Sequence, residues 1–573
     1  MQLLPTLTED QVLAAIKLRQ EFLTGFVARL SPSQFFQTSA SLTQFRQYLE
    51  TNPDCSNDQL EQAFSKLVPV TKYSDYEPYI QRFFATPDKG SIITKTTTTT
   101  AVSTTPNPSN PASATRVTTI KTVTTTSRSK EAEKPAVKDL LGPGLPQFLI
   151  HSSSTSGGKP KHFPYYITGL ENQMRMPLPS VKGKILNINS LAIREVLEID
   201  GHGVEVCIGT TAVYRTMLAA EGIVGDDAIA VSVDAHGIPQ AIRLIKDYTT
   251  FLTIFGMFAV AERDLVAVNT TFGTLCVDWI QTIAGRWDEI VYCIESGELP
   301  KGCLFGVGLE GAVKIRFAIG DTAEFKNGFM GSSEGALMAV NMQDPNDPDL
   351  VHIVDMVLLE FMKDKQVFDK TELIIGEKYQ MIVTNLVPGL WRYNLEDAFL
   401  HMGYHPHTKQ PVMRYVGRDM SFRLTVSLVC EPELRMAATE VLFNKETKAE
   451  FQGEFVTFFD NSRGIETVGY CVEALEGATV QSFDYRKLEE VLTEVLCREN
   501  ECLRLDYANS RMGRCVLRVL KQGTFSEFRA WRTQLTNSSA GQVKVPVVVT
   551  NEEVKNWFLK RALTRVETSD HVV

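Results

Sequence analysis

The chain has 573 residues, 43% of them hydrophobic and 22% charged, so it is too long for one ordinary core and should fold as two to four globular domains or subdomains. A net charge of −10 argues against a nucleic-acid binder, which would present a basic face, but it leaves room for a small anionic ligand held by a local cluster of donors. Ten irregularly spaced cysteines without a C-x-x-C pair argue against a zinc site or disulfide framework, and fit scattered buried thiols in a reducing compartment.

The opening MQLLPTLTEDQ carries acids early and lacks a long apolar stretch, so no secretory leader is expected. Residues 1–86 read as helical, with apolar stripes through Leu13, Ile16, Leu18, Phe22 and Phe26 and then through Leu42, Phe45 and Leu49. Residues 88–140 hold the run Thr96 to Thr100, Pro106, Pro108 and Pro111, more threonines and a charged stretch, but no aromatics. Such a segment buries too little apolar area to offset its ordering entropy, and a disordered insertion is expected there. Order should resume near Leu145, with an extended run from Gln147 to Ile150.

Residues 183–340 mix helical and strand-like patterns. The most apolar window, Phe251 to Ala261, is eleven residues long and meets Glu262-Arg263-Asp264, too short to span a bilayer. A cytoplasmic protein with neither membrane nor nucleic-acid partners is expected. Residues 353–361 and 379–384 look like strands. From about 426 the chain has its own strand (Arg514 to Leu520) and helix (Glu552 to Leu563), enough for a separate C-terminal domain. No internal repeat is evident.

Three segments bear chemistry. The first is Ser152-Ser153-Ser154-Thr155-Ser156-Gly157-Gly158-Lys159-Pro160-Lys161, which follows the extended run. Its glycines permit close backbone approach, its N–H groups and hydroxyls can cradle phosphate oxygens, and Lys161 can neutralise their charge. It is not a Walker A loop, and on composition alone a flexible Ser/Gly surface turn is the commoner reading of such a segment.

The second is Gly331-Ser332-Ser333-Glu334-Gly335. It matches the G-x-S-x-G elbow of α/β-hydrolases, with Asp397 and His401 or His405 later in the chain, but Phe325 to Met330 is a poor strand to precede a nucleophile. Glu334 alternatively suits a hard oxygen ligand for Mg²⁺. The third, Gly389 to Asp397, follows a strand and a Pro-Gly turn. Its terminal acid can accept hydrogen bonds from ribose hydroxyls, or the segment is simply an edge strand with a solvated acid pair. His405-Pro406-His407 reads as a loop.

Taken together, these segments resemble one family, the auxin-responsive Gretchen Hagen acyl acid-amido synthetases of the adenylate-forming, firefly-luciferase-like superfamily. The family's S-S-G-T-S-x-G-x-x-K is SSSTSGGKPK here, its Y-x-S-S-E is MGSSE at 330–334, and its L-Y-R-Y-R-x-G-D is LWRYNLED at 390–397. Tyr415-Val416-Gly417-Arg418, Gly523-Thr524-Phe525 and Gln542-Val543-Lys544-Val545-Pro546 are similar to later family segments. Tyr76 to Arg82 and the stretch from Trp287 to Gly297 are similar as well, so the resemblance covers nearly the whole chain except 88–140. Ser154 replaces a family glycine, Met330 an aromatic, and Glu396 the glycine before the ribose-binding acid, which marks a divergent member.

The resemblance implies a mixed α/β fold. A large N-terminal adenylation domain (1–425), with sheets flanked by helices and a small β-barrel, would carry a smaller, mobile α+β C-terminal domain (426–573). It implies ATP-dependent activation of a carboxylic acid as acyl-AMP, then transfer to an amine, an amino acid, by a Mg²⁺-using monomeric ligase. A hydroxyl or thiol acceptor, or a decayed nucleotide-binding scaffold, are the alternatives. By the same resemblance Ser152, Ser153, Ser154, Thr155, Ser156, Gly157, Gly158 and Lys161 would hold phosphates. Ser332 and Ser333 would line the nucleotide pocket, Glu334 would sit by Mg²⁺, Asp397 would bind ribose, and Arg418 and Lys544 would be catalytic.

Overall fold

The computed structural model describes residues 3–85, 92–107, 110–128, 137–152, 161–166, 183–193, 195–270, 273–296, 330–340, 350–353, 357–418, 421–423, 428–443, 451–474, 484–536 and 543–563.

Helices begin the chain, as expected. Helix Glu9–Leu30 opens with a capping box: the Gln11 N–H donates to the Thr8 hydroxyl, and the Thr8 N–H donates to the Gln11 side-chain oxygen. Its buried face is Arg19, Leu23, Phe26, Val27 and Leu30. Leu13 and Leu18 are exposed, because at about 100° per residue they lie well off the buried stripe that Leu23, Phe26 and Leu30 set. Helices Thr43–Thr51, Asn57–Leu67 and Tyr73–Ile80 complete this layer. Phe26, Phe36, Phe45 and Phe64 surround the Trp391 ring at centroid distances of 4.6–6.3 Å.

Strands β1 (Ile92–Asn107) and β2 (Asn110–Arg128) pair antiparallel with each other and with no other described strand. Runs of β-branched threonine favour extended backbone, and a ribbon satisfies its own hydrogen bonds without a core.

Strands β3 (Phe148–His151), β4 (His162–Tyr165), β5 (Lys184–Ile188), β6 (Glu195–Ile199), β7 (His202–Cys207) and β8 (Leu265–Thr270) follow. They form a four-stranded sheet, β4-β3-β7-β6, and a parallel pair, β5-β8. Helices Tyr248–Ala261, Gly273–Gly285 and Trp287–Ser296 pack beside the parallel pair, with Phe251, Leu252, Phe255 and Trp279 in the shared core.

The largest sheet contains β9 (Met330–Ser332), β10 (Gly335–Val340), β11 (Leu350–Ile353), β12 (Leu358–Lys363), β13 (Gln366–Asp369), β14 (Lys378–Asn385), β15 (Leu390–Tyr404) and β16 (Pro411–Arg418), in the order β13-β12-β14-β15-β16-β11-β10-β9. Every pairing in it is antiparallel. β15 is therefore an interior strand, buried along its first six residues, and not the edge strand that its terminal acids suggested. Hydrophobic flanks decide this, since β14 and β16 supply partners on both sides.

Beyond these come the pair β17 (Ser421–Arg423) and β18 (Leu428–Cys430), and a sheet β19-β20-β21 (Phe451–Asp460, Thr467–Ala474, Val516–Leu520) covered by helices Tyr485–Glu499 and Thr524–Thr536. Two apolar clusters, one from Val429 to Val548 and one from Val456 to Phe558, contain only residues of this last part. The mixed α/β class is the expected one. Among the described residues the ladders do not include a closed barrel.

The N-terminal helices are riveted to the sheet by buried charge. The Glu360 carboxylate accepts from Arg392 Nε at 2.8 Å and from Arg19 Nη2 at 2.9 Å, and Arg392 Nη1 also reaches the carbonyls of Ser65 (2.9 Å) and Val68 (2.7 Å).

Candidate active site

β3 ends at His151, and the next residue begins the Ser/Gly segment. The Ser152 N–H donates to the Lys161 carbonyl at 2.8 Å, and the Lys161 N–H donates to the Ser152 hydroxyl at 3.0 Å. The two ends of the segment are thus tied together, continuing the β3–β4 pairing and fixing where Lys161 leaves the sheet. Ser153, Ser154, Thr155, Ser156, Gly157 and Gly158 lie outside the described residues. The Lys161 ammonium donates to the Tyr393 hydroxyl at 3.3 Å.

Ser333 and Glu334 form the turn between β9 and β10, where Ser332 pairs with Gly335. A hydrolase elbow needs a strand–turn–helix; this is a strand–turn–strand hairpin, and the nucleophile reading is set aside. His401 is buried with Nε2 3.1 Å from the Gly403 carbonyl, and His405 Nδ1 accepts from the His407 and Thr408 N–H groups, so both serve local structure.

The Glu334 carbonyl accepts from Asn385 Nδ2 at 3.2 Å, which fastens the hairpin to β14. Burial pushes the Glu334 carboxyl above its ordinary range; Lys161 and a hydrogen bond from Ser332 pull it down, and Asp397 pushes it up. Lys161 and Asp397, from two other segments of the chain, thus both act electrostatically on Glu334.

Asp397 sits on β15 directly across the ladder from Arg418 on β16, and its Oδ1 accepts from the Tyr415 hydroxyl at 3.3 Å. Burial chiefly, then Glu334 and Glu396, raise the Tyr393 phenol far above its usual value. Glu396 has a φ of +63°, the left-handed region that glycine adopts freely, and its N–H donates to Asn394 Oδ1 at 2.8 Å. Lys544 lies on a different part of the chain. It is exposed, just ahead of Val547, whose carbonyl accepts from the Thr457 N–H on β19 at 2.6 Å.

The cluster thus offers one ammonium, two carboxylates that act on each other, and phenol walls. Such hard oxygen donors fit Mg²⁺, and a divalent cation near them would offset the burial that chiefly raises Glu334 as well as the smaller push from Asp397. Tyr393 and Tyr73 were not singled out from sequence. Tyr393 lay inside a quoted segment, but only the acid at its end was read. Arg19, Glu360 and Arg392 were missed as well; three buried charges far apart in sequence have no spacing signature.

Residues 349–418 match the GH3 family central domain, which spans β11 to β16 and includes Asp397 and Arg418. The chain is 25% identical to indole-3-acetic acid-amido synthetase GH3.15 of Arabidopsis thaliana over 489 residues, 71% of this chain and 79% of that protein. It is 22% identical to 4-substituted benzoates-glutamate ligase GH3.12 of the same plant, over 54% of this chain and 64% of that one. The fold superposes on a solved GH3.15 acyl acid amido synthetase with a TM-score of 0.66 at 16% identity, covering 98% of both chains. A match to the GH3 family central domain in its main sheet, and a fold like that of a GH3 acyl acid amido synthetase along almost its whole length, are what this chain shares with the GH3 proteins.

Proposed function

We propose that this chain is an acid–amino acid ligase that works through an acyl-adenylate. A carboxylate oxygen attacks the α-phosphorus of ATP, the bond to the bridging oxygen breaks, and pyrophosphate leaves. The nitrogen of an amino acid then attacks the acyl carbon, the bond to the phosphate oxygen breaks, AMP leaves with the electron pair, and the nitrogen loses a proton to give the amide. The step converts oxide, a poor leaving group, into AMP, a good one. Most of the acceleration comes from positioning and from charge placed where charge develops.

The observation that carries the reading is the convergence of Lys161, Glu334 and Asp397, each from a different motif-bearing segment, beside Tyr393. In this reading Lys161, with Ser152 to Gly158, binds the phosphate oxygens, and Ser332 and Ser333 border the nucleotide. Asp397 accepts hydrogen bonds from the ribose hydroxyls. Mg²⁺, held by Glu334, would neutralise charge on the triphosphate. Arg418 touches the nucleotide close to a hinge at 418–428, and Lys544 is delivered by residues 426–573, which swing between half-reactions. The relatives' names, an indole-3-acetic acid-amido synthetase and a benzoates-glutamate ligase, support an acid and an amino acid as the substrate pair. The protein works in the cytoplasm as a monomer.

The test is acid-dependent exchange of labelled pyrophosphate into ATP across a panel of carboxylic acids. Exchange with at least one acid, lost in Lys161→Ala and Asp397→Asn, is expected. No exchange across a broad panel points instead to a decayed scaffold. Exchange followed by ester or thioester products in place of amides moves the acceptor to a hydroxyl or thiol.

A further inference from the structure

The Lys161 ammonium lies between two tyrosines that reach it from different layers of the fold. Its Nζ is 5.6 Å from the centre of the Tyr73 ring and 6.0 Å from that of Tyr393, and it donates to the Tyr393 hydroxyl at 3.3 Å. Tyr73 begins helix Tyr73–Ile80 in the N-terminal layer, while Tyr393 belongs to β15 in the main sheet.

Both rings are fixed independently of the lysine. The Tyr73 hydroxyl accepts from the His162 N–H at 3.0 Å, so it grips the backbone next to Lys161 while its ring faces the ammonium. The segment before Tyr73 is stitched to β15: the Thr71 N–H donates to the Arg392 carbonyl at 2.9 Å, and the Asn394 N–H donates to the Thr71 carbonyl at 3.0 Å. These two bonds straddle Tyr393. The Tyr76 hydroxyl adds a bond from the Trp391 N–H at 2.9 Å. Tyr393 itself follows Arg392, whose left-handed backbone (φ +46°) is held by the buried Glu360 pair. Phe163 completes the wall, with its ring 5.6 Å from Tyr73 and 5.9 Å from Tyr393.

We propose that Tyr73 and Tyr393 are positioning residues that aim the Lys161 ammonium at the phosphates of ATP. This rests on the adenylation reading above. A free lysine side chain samples many rotamers and loses that freedom on binding; one held between two rings and a hydroxyl has already lost it. Aromatic faces attract an ammonium without consuming its N–H groups. Of its three N–H bonds, one goes to the Tyr393 hydroxyl, which leaves two for phosphate oxygens.

The experiment is calorimetric titration of MgATP into the full-length wild type, Tyr393→Phe, Tyr73→Leu, Tyr73→Phe and Lys161→Ala, and into the two tyrosine variants combined with Lys161→Ala. Tyr393→Phe and Tyr73→Leu should each weaken binding about 3- to 10-fold, and Tyr73→Phe, which keeps the ring, should recover most of that loss. With alanine at 161 the tyrosine substitutions should change nothing further, because their effect passes through the lysine. Tyrosine variants that bind as the wild type does, or that weaken binding equally in the alanine background, overturn the positioning role and leave the adenylation reading intact. A wild type that does not bind MgATP overturns both.

Discussion

Replacing Glu396 with glycine should make the protein more stable and improve its hold on ATP. The stability effect comes from the backbone. At φ +63° a side chain crowds the following carbonyl, and a left-handed residue other than glycine costs about 1–2 kcal/mol. Glycine returns about 0.5–1 kcal/mol of that through its freer unfolded chain, so the net gain is about 0.5–1 kcal/mol. In a chain this long that raises the melting midpoint by only about 1–2 °C. The Glu396 N–H bond to Asn394 is made by the backbone and survives.

The affinity effect comes from charge. Neighbouring Cα atoms are about 3.8 Å apart, so the Glu396 carboxylate lies within roughly 10 Å of anything bound by Asp397. At that distance a unit charge pair is worth about 0.5–1.5 kcal/mol for effective dielectric constants between water and a protein surface, or about 2- to 10-fold in the KM for ATP. Glu396→Gln separates the two effects: it should lower the KM for ATP while leaving the melting midpoint unchanged. Scanning calorimetry and pyrophosphate exchange at varied ATP read both. A Glu396→Gly variant that melts at or below the wild type refutes the strain argument, and a glutamine variant with unaltered KM refutes the charge argument.

Other substitutions probe other parts of the account. Glu360→Ala strands two buried guanidinium groups, Arg19 and Arg392, and should cost about 3–5 kcal/mol in denaturant unfolding; an effect under 1 kcal/mol would mean the network is not what joins helices to sheet. Asp278, on helix Gly273–Gly285, meets Arg529, on helix Thr524–Thr536, at 3.5 Å and accepts from the Tyr248 hydroxyl at 2.7 Å. Burial pushes its carboxyl from 3.8 up to about 6, against the pull of Arg529 and Tyr248. Its contribution to stability is therefore full below about pH 4 and lost as pH rises through about 6, so Asp278→Asn should lose less stability than the wild type between pH 4 and 7, by up to about 3 kcal/mol. Parallel pH profiles of the two proteins would contradict this. Lys544→Ala, at an exposed position, should leave melting within about 0.5 kcal/mol of the wild type yet cut adenylation sharply, and exchange near the wild-type rate would remove Lys544 from the site.

Much of this architecture was legible in the residues. The helical start and the strands near 148, 358, 379 and 516 follow from periodicity and turn chemistry, while the meaning of the motif segments' order came from the family resemblance. Glu396 was visible as a departure from a glycine, but only coordinates show that its backbone occupies the left-handed region. Leu13 and Leu18 misled because a ragged stripe does not define its own phase. Tyr73 and Tyr393 were illegible for a deeper reason. Two rings flank one ammonium only after the N-terminal helices dock on β15, and that docking is set by Trp391, Glu360 and Arg392 acting at long range.

The most direct test of the central claim follows one oxygen atom. An acid substrate labelled with ¹⁸O in its carboxyl group is turned over with ATP and an amino acid, and the products are weighed by mass spectrometry. Formation of an acyl-adenylate predicts one ¹⁸O in the phosphate of AMP for each amide formed, with unlabelled pyrophosphate. Label in orthophosphate together with ADP, or amide formed with no label in any nucleotide, would contradict it.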